Sequence, residues 1–267
     1  MWWHNFLPQA TIFTIGQVSI RWYGFILVSS IILAAIYAGR TFIKRNLLNW
    51  SQFEDLIFYL IIFSLIGARV GHVLYSWPYY SHNFSDIIKI WQGGVSIQGA
   101  ILAGVLTLFW WCKKHAYKFY ALSDVLVVSL ALGQALGRWG NYFNQELYGK
   151  PSDAWFTIPI AMENRFFPYY DFTYFQPVFF YESILNFLVF AILHVLRQLF
   201  VDKQGLVTWI YLGSYGFIRF IMEFIRIDDT MLIGTWRLPQ VFSLALFLLA
   251  LFWVYFKYIR PLPKMKK

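Results

Sequence analysis

The sequence predicts an all-α polytopic membrane protein with about seven transmembrane helices, the N-terminus outside, the C-terminus inside and a small head on the outer side. Three observations carry that expectation. Of the 267 residues 59% are hydrophobic and only 13% charged, seven stretches are apolar enough to cross a bilayer, and basic residues crowd the loops on one side. Soluble domains carry about 25% charged and roughly 45–50% apolar residues, so a water-soluble fold of this length could not hide the surplus. A disordered or nucleic-acid-binding chain is excluded more firmly, because both need polar surface.

A spanning helix needs about 20 mostly apolar residues. The expected spans are 18–38, 55–75, 95–112, 121–136, 177–199, 207–225 and 239–258. The fourth is short and runs into a polar, glycine-rich stretch. The first Lys or Arg is Arg21, so the opening ten residues lack the basic start of a cleavable signal peptide, and the first span is expected to be retained. With the N-terminus outside, the inner loops hold Arg40, Lys44, Arg45, Lys113, Lys114, Lys118, Arg197 and Lys203, and the inner tail Lys257, Arg260, Lys264, Lys266 and Lys267. The outer side holds Arg21, Lys89, Arg138, Lys150, Arg165, Arg226 and Arg237, and Arg69 and Arg219 fall inside spans. This excess on the inner side sets the orientation. It also turns the net charge of +9 into scattered anchors rather than a nucleic-acid patch.

The whole chain, 1–267, reads as one integral membrane domain. Its longest non-spanning piece, 137–176, is rich in Tyr, Phe and Pro and is expected to form an ordered outer-side pocket and head at the interface, where aromatic rings sit well. A second outer stretch, 77–94, holds a candidate short interfacial helix at 85–91. The single cysteine, Cys112, excludes a disulfide and a cysteine-based metal site, and reads as a small hydrophobe near the inner boundary. No internal repeat supports an inverted-repeat transporter.

Charge inside spans is costly and needs a partner or a polar cavity. For Arg69, in Gly67-Ala68-Arg69-Val70-Gly71-His72, a structural ion pair between helices and a cavity-facing role both stand. In the sixth span Arg219 and Glu223 are four apart and share a helical face, with Arg226 extending that face toward outer water. A self-neutralised pair would let such a helix insert, but a stripe of Arg, Glu and Arg is better explained by a cavity filled with water or headgroups. The densest polar run, Gly137 to Gly149, adds Arg138, Asn141, Asn144 and Glu146 at one membrane boundary. It reads as a pocket open to the outer leaflet, with an arginine able to grip an anion bidentately. The pairs Gly133/Gly137 and Gly67/Gly71 read as close helix packing.

That run, Gly137-Arg138-Trp139-Gly140-Asn141-Tyr142-Phe143-Asn144-Gln145-Glu146-Leu147-Tyr148-Gly149, closely resembles the signature of the prolipoprotein diacylglyceryl transferases, Gly-Arg-x-Gly-Asn-aromatic-x-Asn-x-Glu-x-x-Gly. The likeness extends to Arg21-Trp22-Tyr23-Gly24, Gly67-Ala68-Arg69-Val70-Gly71, Tyr181-Glu182 and Arg219-Phe220-Ile221-Met222-Glu223-Phe224. The resemblance implies transfer of a diacylglyceryl group from phosphatidylglycerol to the lipobox cysteine thiol of a prolipoprotein, forming a thioether and releasing glycerol phosphate. It also implies no metal or organic cofactor, and a multi-pass protein of the bacterial cytoplasmic (inner) membrane with its site toward the outer leaflet. Displacement of a phosphate ester needs preorganised cations. Arg138 and Arg219 are the expected catalytic cations, held by Glu146 and Glu223. Asn141 and Tyr23 are expected to hydrogen-bond the headgroup, and Gly149 to allow close backbone approach.

One position departs from the family. Many relatives carry a histidine, proposed as the base for the thiol, where Gly93-Gly94-Val95-Ser96-Ile97-Gln98-Gly99 places Gln98. Glutamine takes no proton at neutral pH. Nearby arginines are expected to lower the thiol pKa, making a dedicated base unnecessary, with Gln98 a hydrogen-bond donor to substrate. Alternatively Glu146 or His72 serves as base, or the chain is a divergent relative. His72 also reads as a packing histidine beside Arg69, and His4, His82, His115 and His194 as interfacial or solvent-facing imidazoles. Two rival classes are a small-molecule transporter and a lipid-headgroup-binding protein without transferase activity. The transporter predicts polar residues through both halves of several spans, whereas the ionisable cluster here is confined mainly to the outer half.

Overall fold

The computed structural model describes residues 2–16 and 18–260, so the expected tail anchors Lys264, Lys266 and Lys267 lie outside the described residues. The helices are α1 (Trp22–Lys44), α2 (Trp50–Tyr75), the single-turn α3 (Trp77–Tyr80), α4 (Ile97–Lys114), α5 (Phe119–Phe143), α6 (Val178–Leu199), α7 (Leu206–Met222) and α8 (Leu238–Val254). The seven longer ones coincide with the seven expected apolar stretches. Five are long and apolar enough to cross a membrane: α1, α2, α5, α6, and α8 with its π-helical continuation to Ile259.

The helices wear their apolar residues outside. Phe25 and Ile32 on α1, Ile61 and Ile66 on α2, and Phe242 and Leu249 on α8 are exposed, whereas Glu182, Arg226 and Glu223 are buried. Water would penalise both halves of that arrangement, and a hydrocarbon surround favours both. The chain is therefore an all-α membrane protein.

Three two-stranded antiparallel hairpins were not anticipated: β1 (Thr11–Ile15) with β2 (Val18–Arg21), β3 (Ile158–Pro159) with β4 (Tyr174–Phe175), and β5 (Leu232–Ile233) with β6 (Trp236–Arg237). The first corrects the start of the first span. Residues 18–21 pair with 11–15 across a turn in which Gly16 takes a φ of 60°, and the helix begins only at Trp22. The expected interfacial helix at 85–91 is instead two 3-10 turns, Phe84–Ile88 and Ile90–Gln92. The fourth span is also corrected. It does not stop at 136: α5 continues through the glycine-rich run to Phe143, so Arg138 and Asn141 sit on helix.

The chain forms two compact units, one of the residues up to Ala38 with those from Asp124 onward, the other of Gly39–Ser123. In the Gly39–Ser123 unit, α2 starts from a reciprocal cap between Asn49 and Gln52 and crosses α4 backbone to backbone. A Cβ on Gly71 would lie 3.0 Å from the Gly99 Cα, and one on Gly99 would collide with the Gly67 carbonyl oxygen. The expected small-residue packing is realised there with a third glycine that the pair in α2 alone did not reveal. Gly99→Leu should therefore force the helices apart and cost at least about 1–3 kcal/mol, read as a lowered melting temperature in detergent.

Arg69 in α2 is buried, and its partners are carbonyls rather than a carboxylate. It donates to Asp86 O (2.5 Å), Ile87 O (2.7 Å), Gly93 O (2.8 Å) and Gly94 O (2.7 Å), and its guanidinium lies 5.3 Å from the centre of the Tyr80 ring. It pins the 86–94 connection, which leads into α4 under a Ser96 side-chain cap. A side chain on Gly94, at φ 77°, would collide with His72 and Arg69, which fits the packing reading of that histidine.

In the other unit, the chain leaving α5 makes left-handed steps at Gln145 and Leu147. It then builds a small core of Tyr142, Tyr148, Ile158, Ile160, Phe175 and Phe179. Gln145 ties this core to the N-terminal arm: its Nε2 donates to Pro8 O at 2.7 Å and its Oε1 accepts from Ala161 N at 2.6 Å. The Tyr- and Phe-rich stretch after α5 is thus ordered by its own aromatic packing.

Candidate active site

The polar signature is divided among four tasks. Gly140 lets Tyr23 of α1 lie against α5, since a Cβ there would sit 2.9 Å from the Tyr23 ring. Asn141 and Asn144 both turn to Glu146, donating to Oε1 at 2.8 and 3.4 Å. Arg138 reaches α6, where its Nε lies 2.9 Å from Glu182 Oε2. Gly149 permits a close approach, but to protein: its Cβ would lie 2.8 Å from Ile225 and 3.0 Å from Gln176 and Val178. There Gly149 N donates to Gln176 O at 2.9 Å and Lys150 N to Ile225 O at 3.1 Å, tying the signature to the end of α7.

Two expected contacts are corrected by this geometry. The carboxylate that holds Arg138 is Glu182, and Glu146 is held by asparagine amides. Arg226 does not extend a helical face toward outer water. The helix ends at Met222, and the turn that follows carries Arg226 inward, where it is 6% exposed. The expected Arg219–Glu223 pair is present at 2.9 Å.

Together these side chains form one continuous ionic chain. Arg138 meets Glu182, and Glu182 Oε1 lies 3.7 Å from Arg226. Arg226 Nε donates to Asp228 Oδ1 at 2.7 Å, and Asp228 Oδ2 lies 3.7 Å from Arg237. Arg237 Nε is 3.1 Å from Glu223 Oε1, whose other oxygen takes Arg219. The order is Arg138–Glu182–Arg226–Asp228–Arg237–Glu223–Arg219, with four cations and three anions. Its ends are the two arginines singled out in the sequence. The side chains of Arg138 and Arg219 are 22% and 18% exposed and those of Arg237 and Asp228 17% each, whereas Glu182, Arg226 and Glu223 are nearly sealed. Each end arginine meets one carboxylate within this network.

Asp228 lies outside the helices. Burial alone would raise its pKa, but the Arg226 hydrogen bond and the charges of Arg226, Arg237 and Arg219 outweigh it and hold the carboxyl below the usual range. A depressed carboxylate contributes stability above its unfolded pKa and loses it as pH falls through the folded one. Asp228→Asn should therefore lower the melting temperature at neutral pH, and the gap to wild type should close only below the usual carboxylate range.

Tyr23 lies within electrostatic reach of both Glu146 and Arg138. Gln98 is exposed in the first turn of α4, its Oε1 accepting from Ser96 Oγ at 3.0 Å. Asp228 and Arg237 were not anticipated as partners, and Glu182 was noted only within Tyr181-Glu182. The Tyr181-Glu182 pair at the head of a span was the available signal for Glu182. Nothing local marks Arg237, whose partners come from a turn about ten residues earlier.

These features define a polytopic helical membrane protein with a largely buried chain of arginines and carboxylates. The family model for prolipoprotein diacylglyceryl transferase matches residues 10–256. A phosphatidylglycerol–prolipoprotein diacylglyceryl transferase of a Nostoc species is 39% identical, with 96% of this chain and 95% of the relative aligned. Proteins of the same name from a Synechocystis species and from Listeria monocytogenes are 36% and 35% identical, each aligned over 93% of this chain and 90% of the relative. The chain belongs to the prolipoprotein diacylglyceryl transferase family.

Proposed function

We propose that this protein transfers the diacylglyceryl group of phosphatidylglycerol to the thiol of a prolipoprotein's lipobox cysteine in a bacterial cytoplasmic membrane. The observation that carries the mechanism is the ionic chain with a partly exposed arginine at each end. The cysteine sulfur attacks the glycerol carbon that bears the phosphate, the carbon–oxygen bond breaks, and glycerol phosphate leaves with the bonding pair as a thioether forms. Negative charge grows on the departing phosphate ester. Arg138 and Arg219, braced by Glu182 and Glu223, are preorganised for it and cost little reorganisation at the moment of reaction. Tyr23 and Asn141 hydrogen-bond the headgroup, while Glu146, gripped by two amides, orients Asn141. Gly149 acts by letting the end of the signature close on the turn after α7.

The thiol proton has no histidine to receive it at position 98. In this reading the site's arginines favour thiolate, and the Gln98 side-chain amide donates a hydrogen bond to substrate. The chain crosses the membrane seven times with its N-terminus outside, with the arginine site and the 137–176 pocket and head at the outer leaflet and the acyl tails in lipid.

The test is transfer of label from phosphatidylglycerol to a lipobox peptide by purified protein. Robust thioether formation is expected with glutamine at position 98. Absence of transfer by well-folded protein, restored by Gln98→His, would overturn the base-free reading. Absence that persists in that variant would favour a headgroup-binding relative.

A further inference from the structure

Arg237 stands outside the family signature, yet its guanidinium is the most heavily engaged in the ionic chain. It meets Glu223 Oε1 through Nε at 3.1 Å, donates to Arg226 O at 2.6 Å and Asp228 O at 2.5 Å, and lies 3.7 Å from the Asp228 carboxylate. Glu223 has a side-chain exposure of 0%, so water cannot solvate its second oxygen. Arg237 itself opens α8: its backbone N–H donates to Gln240 Oε1 at 3.0 Å. The anchor is therefore a helix start rather than a free loop.

We propose that Arg237 is a positioning residue for the transfer reaction, acting through Glu223 on Arg219. The inference rests on the reading of Arg219 as a cation facing the substrate phosphate. A buried carboxylate with a cation on each oxygen is electrostatically satisfied on both sides, and leaves Arg219 held by one oxygen only. Without Arg237 the freed oxygen draws the Arg219 guanidinium into a two-oxygen grip, the geometry that arginine and carboxylate favour. The N–H groups that would meet the departing phosphate are then spent on protein. Arg237 thus sets how much of Arg219 remains for substrate. It also closes the turn 226–228 by its two carbonyl contacts, which fixes Arg226 between Glu182 and Asp228.

A cavity of about 370 Å³ is lined by Arg237 and Glu223 together with Lys150, Arg226, Trp236 and Gln240. Arg237 therefore sits in the wall between the buried carboxylate and open space, where its loss is felt by the site rather than by distant packing.

The experiment compares Arg237→Ala, Arg237→Lys, Arg219→Ala and the double variant Arg219→Ala/Arg237→Ala in the label-transfer assay, with detergent melting temperatures recorded alongside. Arg237→Ala is expected to lower kcat about tenfold or more while leaving KM for phosphatidylglycerol within about threefold, because the interaction it protects grows in the transition state. Arg237→Lys keeps a cation beside Glu223 and should recover most of kcat. The double variant should be no slower than Arg219→Ala, since both act through one guanidinium. A wild-type kcat in Arg237→Ala with an inactive Arg219→Ala overturns the role of Arg237 alone. An active Arg219→Ala overturns the reading beneath it. A loss in Arg237→Ala that follows the melting temperature and is additive with Arg219→Ala would show only a structural prop, and also overturns the proposal.

Discussion

Alanine at Arg138 is expected to reduce diacylglyceryl transfer by roughly 10²–10³-fold, the usual consequence of removing one preorganised donor from a site where negative charge develops. Arg219→Ala is expected to do the same. The two ends of the ionic chain share the developing charge, so neither compensates for the other. Arg138→Lys should recover little. A lysine supplies a point charge, whereas the arginine can hold Glu182 through Nε at 2.9 Å and still present its terminal N–H groups to a phosphate. The measurement is label transfer by purified variants whose melting temperature shows them folded. Full activity in Arg138→Ala would remove the phosphate-gripping role from this residue and, with it, the reason for the chain's open end.

The membrane class, the apolar stretches and the two end arginines were legible in the sequence because each is a local signal. Composition decides the solvent, apolar length decides the spans, and an arginine in a span announces a partner or a cavity. What stayed illegible was pairing across the chain. Arg138 and Glu146 lie eight apart in one polar run, and Glu146 was the expected brace for Arg138. The partner chosen is Glu182, more than forty residues on, because α6 presents that carboxylate to the face of α5 that carries Arg138. Glu146 lies beyond two left-handed steps that turn it to Asn141 and Asn144 instead. The fourth span was read as ending at 136 because glycines and polar residues usually stop a helix. Here Gly140 is required by the Tyr23 ring and Arg138 and Asn141 find partners, so the helix continues to Phe143. Arg69 was expected to meet either a carboxylate or a cavity. Four carbonyl acceptors from one connecting segment satisfied it instead, a solution with no residue-type signature.

Glu182→Ala should be the most destabilising single change at the site, whereas Glu146→Ala should leave stability nearly intact and still impair transfer. Glu182 is 1% exposed and stands between two guanidiniums, Arg138 at 2.9 Å and Arg226 at 3.7 Å. Removing it leaves Arg226, itself nearly sealed, with Asp228 alone, and strands Arg138 without its brace. Deleting one member of a buried pair costs about 3–5 kcal/mol, most of it the penalty of the charge left behind. For a chain of this size that is a fall in melting temperature on the order of 10 °C. Glu182→Gln should lie between, since the amide fills the same space and accepts a hydrogen bond but neutralises neither arginine. Glu146 presents the opposite case. Its partners are neutral amides and it is only partly buried, so its removal strands no charge. The loss expected there is in the rate, through a freed Asn141. Equal melting temperatures for Glu182→Ala and wild type would mean that the buried chain contributes no stability. The three carboxylates would then be explained only by the chemistry they hold in place.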